Sequence, residues 1–187
     1  MNSSSYALIV IVLFAVIASC IPSIAVAEPG TDAVALDAAF QVTSSAFRNN
    51  GNIPAKFGYY GEDCSPQFSW KNAPSGVKSF ALVMTDMDYM DQCHWLIYDI
   101  KPSLVSLQEK IPIGSSSGGS YRQGVNGYGV RGYRGPFPPA GVTHRYRFRL
   151  YALNVMIKKS GLNLASFEAK LQGHVIKQTE ILGKFKG

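Results

Sequence analysis

The sequence predicts a mainly β protein with one helix near its C-terminus. Three observations carry this. Residues 145–153 alternate apolar and charged side chains with the period of two that marks a half-buried strand. Asn49-Asn50-Gly51, Ala73-Pro74-Ser75-Gly76 and Lys101-Pro102 are turn signals that divide short aromatic and β-branched segments. Only residues 162–171 carry a helical spacing, with Leu164, Phe167 and Leu171 on one stripe and Asn163 placed as an N-cap.

Each element follows in chain order. The first charged side chain is Glu28, and before it residues 6–18 form an almost unbroken apolar run, followed by Pro22 and the small-residue series Ala25-Val26-Ala27. That pattern predicts a secretory signal peptide over residues 1–27, which would leave residues 28–187 as one exported domain, periplasmic or secreted. A second reading cuts before Cys20, because Ile17-Ala18-Ser19-Cys20 fits a lipobox and would leave the chain lipid-anchored. The run is interrupted at Pro22, short of the roughly 20 apolar residues that cross a bilayer, so no transmembrane span is expected in the mature chain.

Strands are expected over residues 40–47, 68–71, 78–85, 94–100 and 145–153, and the helix covers one edge or face of the sheets. In the last strand His144, Tyr146, Phe148 and Leu150 share one face and Arg145, Arg147 and Arg149 the other, which sets His144 at the mouth of an apolar core. On the strand 78–88, Leu82, Met84, Asp86 and Asp88 share a face, so two carboxylates extend an apolar row to the strand end. Residues 114–135 are rich in Gly and Ser without periodicity, a long surface loop of the kind that borders a site.

At 187 residues with 47% hydrophobic and 16% charged positions, the chain has the composition of a folded domain with a real core. The net charge of +6 lies wholly beyond residue 27. Arg131 and Arg134, together with the three strand arginines, offer a surface for acidic partners. Three of the five are accounted for as the solvated face of one strand, and nucleic-acid binding is not expected. Cys64 and Cys93 are the two thiols left after residue 27, and an even count in an exported protein favours a disulfide between them, the other reading being two buried reduced cysteines. Neighbouring strand residues point to opposite faces, so Cys93 and His94 do not form a metal pair, and no metal or cofactor is expected.

Two motif matches fail on context. Gly114-Ser115-Ser116-Ser117-Gly118 fits the Gly-x-Ser-x-Gly of a hydrolase elbow, which needs a strand before it and a helix after it. Gly127-Tyr128-Gly129-Val130-Arg131-Gly132 fits Gly-x-Gly-x-x-Gly, which must open a helix, and Pro136, Pro138 and Pro139 forbid one.

The stronger constellation is Asp86, Asp88, His94, His144 and Tyr146, with Gly135 and Pro136 as a backbone wall. Carboxylates near a core need partners, and imidazoles supply them. A charged imidazole, a tyrosine hydroxyl and loop N–H groups bind phosphate oxygens, while carboxylates favour an amine. Mutual satisfaction of these groups at the core rim is the structural alternative. The prolines fix their own φ and restrain their predecessors, stiffening the wall before a ligand arrives.

The order of segments, Ser65-Pro66-Gln67-Phe68-Ser69-Trp70, residues 78–83, Asp86-Met87-Asp88, His94-Trp95, Gly135-Pro136-Phe137-Pro138-Pro139 and residues 144–153, closing with Gly173-His174 and residues 181–185, resembles the phosphatidylethanolamine-binding protein family in its bacterial and archaeal Raf-kinase-inhibitor-like branch. The likeness runs from about residue 40 to 185. It departs where the family reads Asp-Pro-Asp-Ala-Pro and this chain has Asp86-Met87-Asp88-Tyr89-Met90, with a short spacer before His94. The resemblance implies two antiparallel sheets packed as a Greek-key-like sandwich and a small anion-binding pocket lined by Asp86, His94, Gly135, Pro136, His144 and Tyr146, with Asp88 in structural support. It implies a binding protein for a small anionic or phospholipid-headgroup ligand, with a protein partner to regulate or inhibit. The alternative is a hydrolase or phosphoryl-transfer enzyme with His94 and His144 as acid and base and Asp86 as orienter.

Overall fold

A computed structural model describes residues 38–114 and 119–187. The expected signal peptide, the Cys20 alternative and most of the Gly-x-Ser-x-Gly match lie outside these residues. Among the described residues nine strands form two sheets. Strands β1 (Gln41–Thr43), β3 (Phe68–Lys71) and β6 (Ser106–Leu107) make a three-stranded sheet in the order β1-β3-β6. The second sheet has six strands: β2 (Gly51–Asn52), β4 (Ser79–Asp86), β5 (Gln92–Ile100), β7 (Arg122–Gln123), β8 (Thr143–Leu153) and β9 (Val175–Lys186). Their order is β2-β9-β8-β4-β5-β7, every pairing antiparallel except the short β2-β9 contact. Consecutive strands that are not neighbours give the sandwich its crossed connections. Among the described residues no helix is long and apolar enough to cross a membrane.

At β4 and β5 the large sheet is buried on both faces, which is why β4 reads as a continuous apolar run. Its inner face places Leu82, Met84, Trp95, Phe148 and Leu150 against Phe68 and Trp70 of the small sheet. The rings of Phe68 and Phe148 lie 4.9 Å apart across that core, and Phe47 lies 5.4 Å from Phe148. Burial of such rings contributes roughly 2 to 3 kcal/mol each. The outer face presents Ala81, Val83, Leu96, Tyr98 and Tyr151 to Leu162, Phe167 and Leu171.

Phe167 belongs to α1 (Leu164–Glu168), which is shorter than the ten residues the spacing predicts. Asn163 caps it as expected, accepting the Ser166 N–H at 3.0 Å, while the Ser166 hydroxyl accepts the Asn163 N–H in return. Beyond Glu168 the amides of Lys170, Leu171 and His174 bond three residues back, a tighter turn that keeps Leu171 on the apolar stripe without continuing the α-helix.

The expected strand at 40–47 is regular only over β1, because Ser44 and Ser45 turn to bond Gln67. β9 was not expected from the sequence at all. The disulfide is not formed: Cys64 and Cys93 are both free thiols. Cys64 packs against the core between the sheets and Cys93 belongs to the cluster on the other face of the large sheet, so the sheet itself separates them.

Candidate functional site

β4, β5 and β8 run side by side, and at one end of them the chain leaves a cavity of about 320 Å³ lined by Asp86, Asp88, Tyr89, His94, Tyr128, Phe137, Pro138, Pro139, His144 and Tyr146. Register brings the strand residues there. Asp86 pairs directly with Tyr146 on β8, and the alternation of β8 sets His144 one step further along the same face. His94 arrives by a different device. Met84 pairs with Trp95 but Thr85 pairs with Cys93, so His94 is the extra residue of a β-bulge. The bulge keeps Cys93 on the outer face and turns His94 inward, its ring 5.2 Å from that of Tyr146.

The two imidazoles are held in different ways. His144 Nδ1 lies 2.7 Å from Asp86 Oδ2. An ionised carboxylate only accepts, so Nδ1 carries the proton, and among the described residues Nε2 has no hydrogen-bond partner. Asp86 Oδ1 accepts the Asp88 N–H at 3.0 Å, which ties the carboxylate to the β4–β5 hairpin. His94 Nδ1 lies 2.9 Å from the Arg134 carbonyl, an acceptor, so that nitrogen donates and Nε2 accepts the Tyr128 O–H at 3.2 Å. Burial pushes the His94 pKa down, and the two bonds fix it as a neutral imidazole.

Tyr146 is fully buried, and among the described residues its hydroxyl makes no hydrogen bond of good geometry, the Asp86 carboxylate and the Phe137 backbone being its polar neighbours. Burial and the neighbouring Asp86 carboxylate push its pKa up, so the phenol stays a donor. Tyr128 is likewise pushed up, to about 12, by burial and by Asp86. Asp88 lines the cavity too but is engaged by Arg145: its Oδ2 accepts the Arg145 N–H at 2.7 Å and its Oδ1 the guanidinium at 2.6 Å. That bidentate grip holds its pKa down at about 2.

Gly135 and Pro136 stand behind the cavity rather than on it. The Gly135 N–H donates to Asp63 Oδ1 at 2.6 Å, and the Pro136 carbonyl accepts the Tyr59 N–H at 2.9 Å. A Cβ at position 135 would lie 2.4 Å from the Phe57 carbonyl oxygen, so glycine is required by the close approach of residues 57–59. The wall itself is Phe137, Pro138 and Pro139. Asp86, His94, His144 and Tyr146 are thus brought together, and Gly135 and Pro136 anchor the segment that encloses them.

Tyr89, Tyr128 and Phe137 are cavity residues that sequence reasoning did not single out. Tyr128 sits at the tip of a small turn closed by the Val125–Arg131 bridge and organised by buried Asn126, whose side-chain oxygen accepts the N–H groups of Tyr128 and Val130. An aromatic between two turn glycines was the available signal. Tyr89 precedes Met90 and Asp91, both with positive φ, at the tip of the β4–β5 hairpin. Among the described residues no group of three His, Cys, Asp or Glu side chains could hold a metal ion.

The comparisons agree with this architecture. The sequence profile of the phosphatidylethanolamine-binding protein family matches residues 43–186, and the chain belongs to that family. Relatives include a UPF0098 protein of Methanothermobacter thermautotrophicus, 37% identical over 144 residues, 75% of this chain and 95% of the relative. A UPF0098 protein of Aquifex aeolicus is 36% identical over 80% of this chain and 90% of its own. Among solved structures, the phosphatidylethanolamine-binding protein homologue CT736 of Chlamydia trachomatis superposes with a TM-score of 0.71 at 32% identity, covering 80% of this chain and 98% of its own. E. coli YbcL, described as a member of the mammalian family, does so with a TM-score of 0.73 at 26% identity, over 79% and 98%.

Proposed function

We propose that this is an exported binding protein whose cavity takes a small phosphate-bearing or other anionic headgroup, and that the loaded or empty state is read by a protein partner. The observation that carries the reading is the Tyr146 hydroxyl, a donor fully buried beside the cavity that makes no hydrogen bond of good geometry among the described residues. A buried unpartnered donor costs roughly 1 to 3 kcal/mol, which a ligand oxygen would recover. His144 supports it: anchored through Nδ1 on Asp86, it has Nε2 left for a second ligand oxygen. The aromatic rings of Tyr89, Tyr128 and Phe137 and the Asp86 carboxylate suit a headgroup that also carries an ammonium. Binding rather than turnover is favoured because the described lining contains no Ser, Cys or Lys to act as nucleophile, and neutral His94 is engaged at both nitrogens.

Calorimetry with inorganic phosphate and phosphoethanolamine tests this directly. Heat of binding is expected with both, and its loss in His144→Ala. No heat with either, in protein shown to be folded, would sink the reading. Turnover of phosphate or acyl esters abolished by His94→Ala would replace it with the enzymatic one.

A further inference from the structure

Charge is unevenly divided along the strands. The cavity lies where β4 ends and β8 begins, and acids gather there: Asp86, Asp88 and Asp91 engage His144, Arg145 and Arg147, while Glu62 and Glu109 engage Lys110 and Lys56. At the other end of the same strands seven lysines are exposed, and among the described residues none of them is ion-paired. Lys71 closes β3, and the Lys78 N–H donates to the Leu153 carbonyl at the end of β8. Lys101 follows β5, and Lys158 and Lys159 lie in the segment fastened to Asp99 and Tyr98. Lys170 follows α1, and Lys177 pairs with Ala152. The nearest acids are already spent or turned elsewhere. Asp99 is buried against Arg122 and two backbone N–H groups, Glu180 is held by Arg149, and Glu168 lines a cleft with Asp91 and Arg147.

Aliphatic side chains left out of the core stand among these lysines: Val105 is 61% exposed, Val175 39% and Ile176 38%. The Leu104 N–H donates to the Lys101 carbonyl, which sets Val105 beside Lys101, and Val175 pairs with Leu153. Lysine heads are point charges that need no shaped acceptor, and aliphatics set among them suit a surface that is anionic outside and apolar just beneath. The chain also enters the domain here, the Ala39 carbonyl accepting the Asn72 side-chain N–H and Phe40 stacking on Phe80. A lipid on Cys20, one of the two readings of the leader, would tether the domain by this same end.

We propose that the lysine end of the sandwich docks on an anionic lipid bilayer, with Val105, Val175 and Ile176 entering the headgroup region and the cavity directed away from the membrane. The inference is independent of what the cavity holds.

The test is sedimentation of the full chain with vesicles of phosphatidylcholine alone and of phosphatidylcholine mixed with phosphatidylglycerol. Each lysine near an anionic surface is worth about fivefold in affinity, so the mixed vesicles should be preferred by about a hundredfold or more. Any contribution from the apolar run at residues 6–18 falls equally on both compositions. Raising the salt from about 0.1 M to 1 M shortens the Debye length from about 10 Å to 3 Å and should abolish the preference. Lys158→Gln with Lys159→Gln should weaken binding to the mixed vesicles by about twenty-fivefold, at fivefold per lysine. Lys184→Gln with Lys186→Gln, at the cavity end, removes the same charge and should change affinity by less than about twofold. Ile176→Ser should weaken vesicle binding and leave binding of heparin, a soluble polyanion, unaltered. Equal affinity for the two vesicle compositions overturns the inference, as do equal losses in the two lysine pairs. So does tighter binding of heparin than of mixed vesicles with no effect of Ile176→Ser, which assigns this end to a soluble polyanion. Release from the vesicles by excess free phosphoethanolamine overturns it too, since the cavity would then be the point of attachment.

Discussion

The Nδ1 of His144 lies 2.7 Å from Oδ2 of Asp86, a contact between residues 58 apart in sequence that the antiparallel pairing of β4 with β8 makes adjacent. The carboxylate fixes which ring nitrogen carries the proton and which way the ring faces. Orientation of this kind is worth about 2 kcal/mol where the acceptor is charged, or about thirtyfold in affinity. Asp86→Ala is therefore expected to weaken phosphate binding by about that factor. Asp86→Asn, which keeps an acceptor in place, should retain part of the affinity. Calorimetry on both variants checks the order, and equal affinity in all three proteins would remove Asp86 from the site.

His94 carries a pH dependence of stability. Its pKa in the folded protein is pushed below 6.5 by burial, so the unfolded chain binds the proton more readily. The stability tied to the neutral ring is complete above pH 6.5 and declines as pH falls below it. Urea unfolding from pH 7.5 to pH 5 should show the midpoint falling in the wild type, and falling less in His94→Gln. A wild-type midpoint that rises over this range would contradict the buried neutral imidazole.

Gly135 tests the support of the wall. An added Cβ would meet the backbone of Phe57, Gly58 and Tyr59 at 2.4 to 2.6 Å, and backbone has no rotamer to escape into. Gly135→Ala should cost about 2 kcal/mol by overpacking. It should also displace Phe137, Pro138 and Pro139 and so weaken phosphate binding. Thermal unfolding reads the first effect and calorimetry the second; full stability with unchanged affinity would show that the approach of these segments is not needed.

Much of this was readable from residue order, and what was not has identifiable causes. β8 was legible because one face is buried and the other solvated, so its alternation is clean from Tyr146 to Leu150. β9 was not, because Val175 to Gln178 are exposed and are held by pairing with β8 rather than by an apolar face of their own. Counting in twos set His144 and Tyr146 on the inward face of one strand and Asp86 on that of another, and the pairing of β4 with β8 brings them together. His94 could not be placed this way, since the inward turn of its ring comes from a bulge that parity arguments do not contain. Tyr128 and Tyr89 sit at turn tips, where side-chain direction follows from φ rather than from period. The cysteine pairing failed because an even count says nothing about which side of a sheet each thiol occupies.

The two thiols give the last prediction. Cys93 is 5% exposed and burial pushes its pKa up to about 12, so at neutral pH it is an inert thiol. Cys64 is only partly buried, and burial, with help from Glu62 and Glu109, raises its pKa as well. A maleimide or an aromatic disulfide reagent should therefore label Cys64 slowly in native protein and leave Cys93 untouched until guanidinium unfolds the chain. After unfolding without reductant both should label, since neither is bonded. Peptide mapping by mass spectrometry assigns each site separately. Recovery of the two peptides as one cross-linked species from protein never exposed to oxidant would show that the sheet does not keep these residues apart.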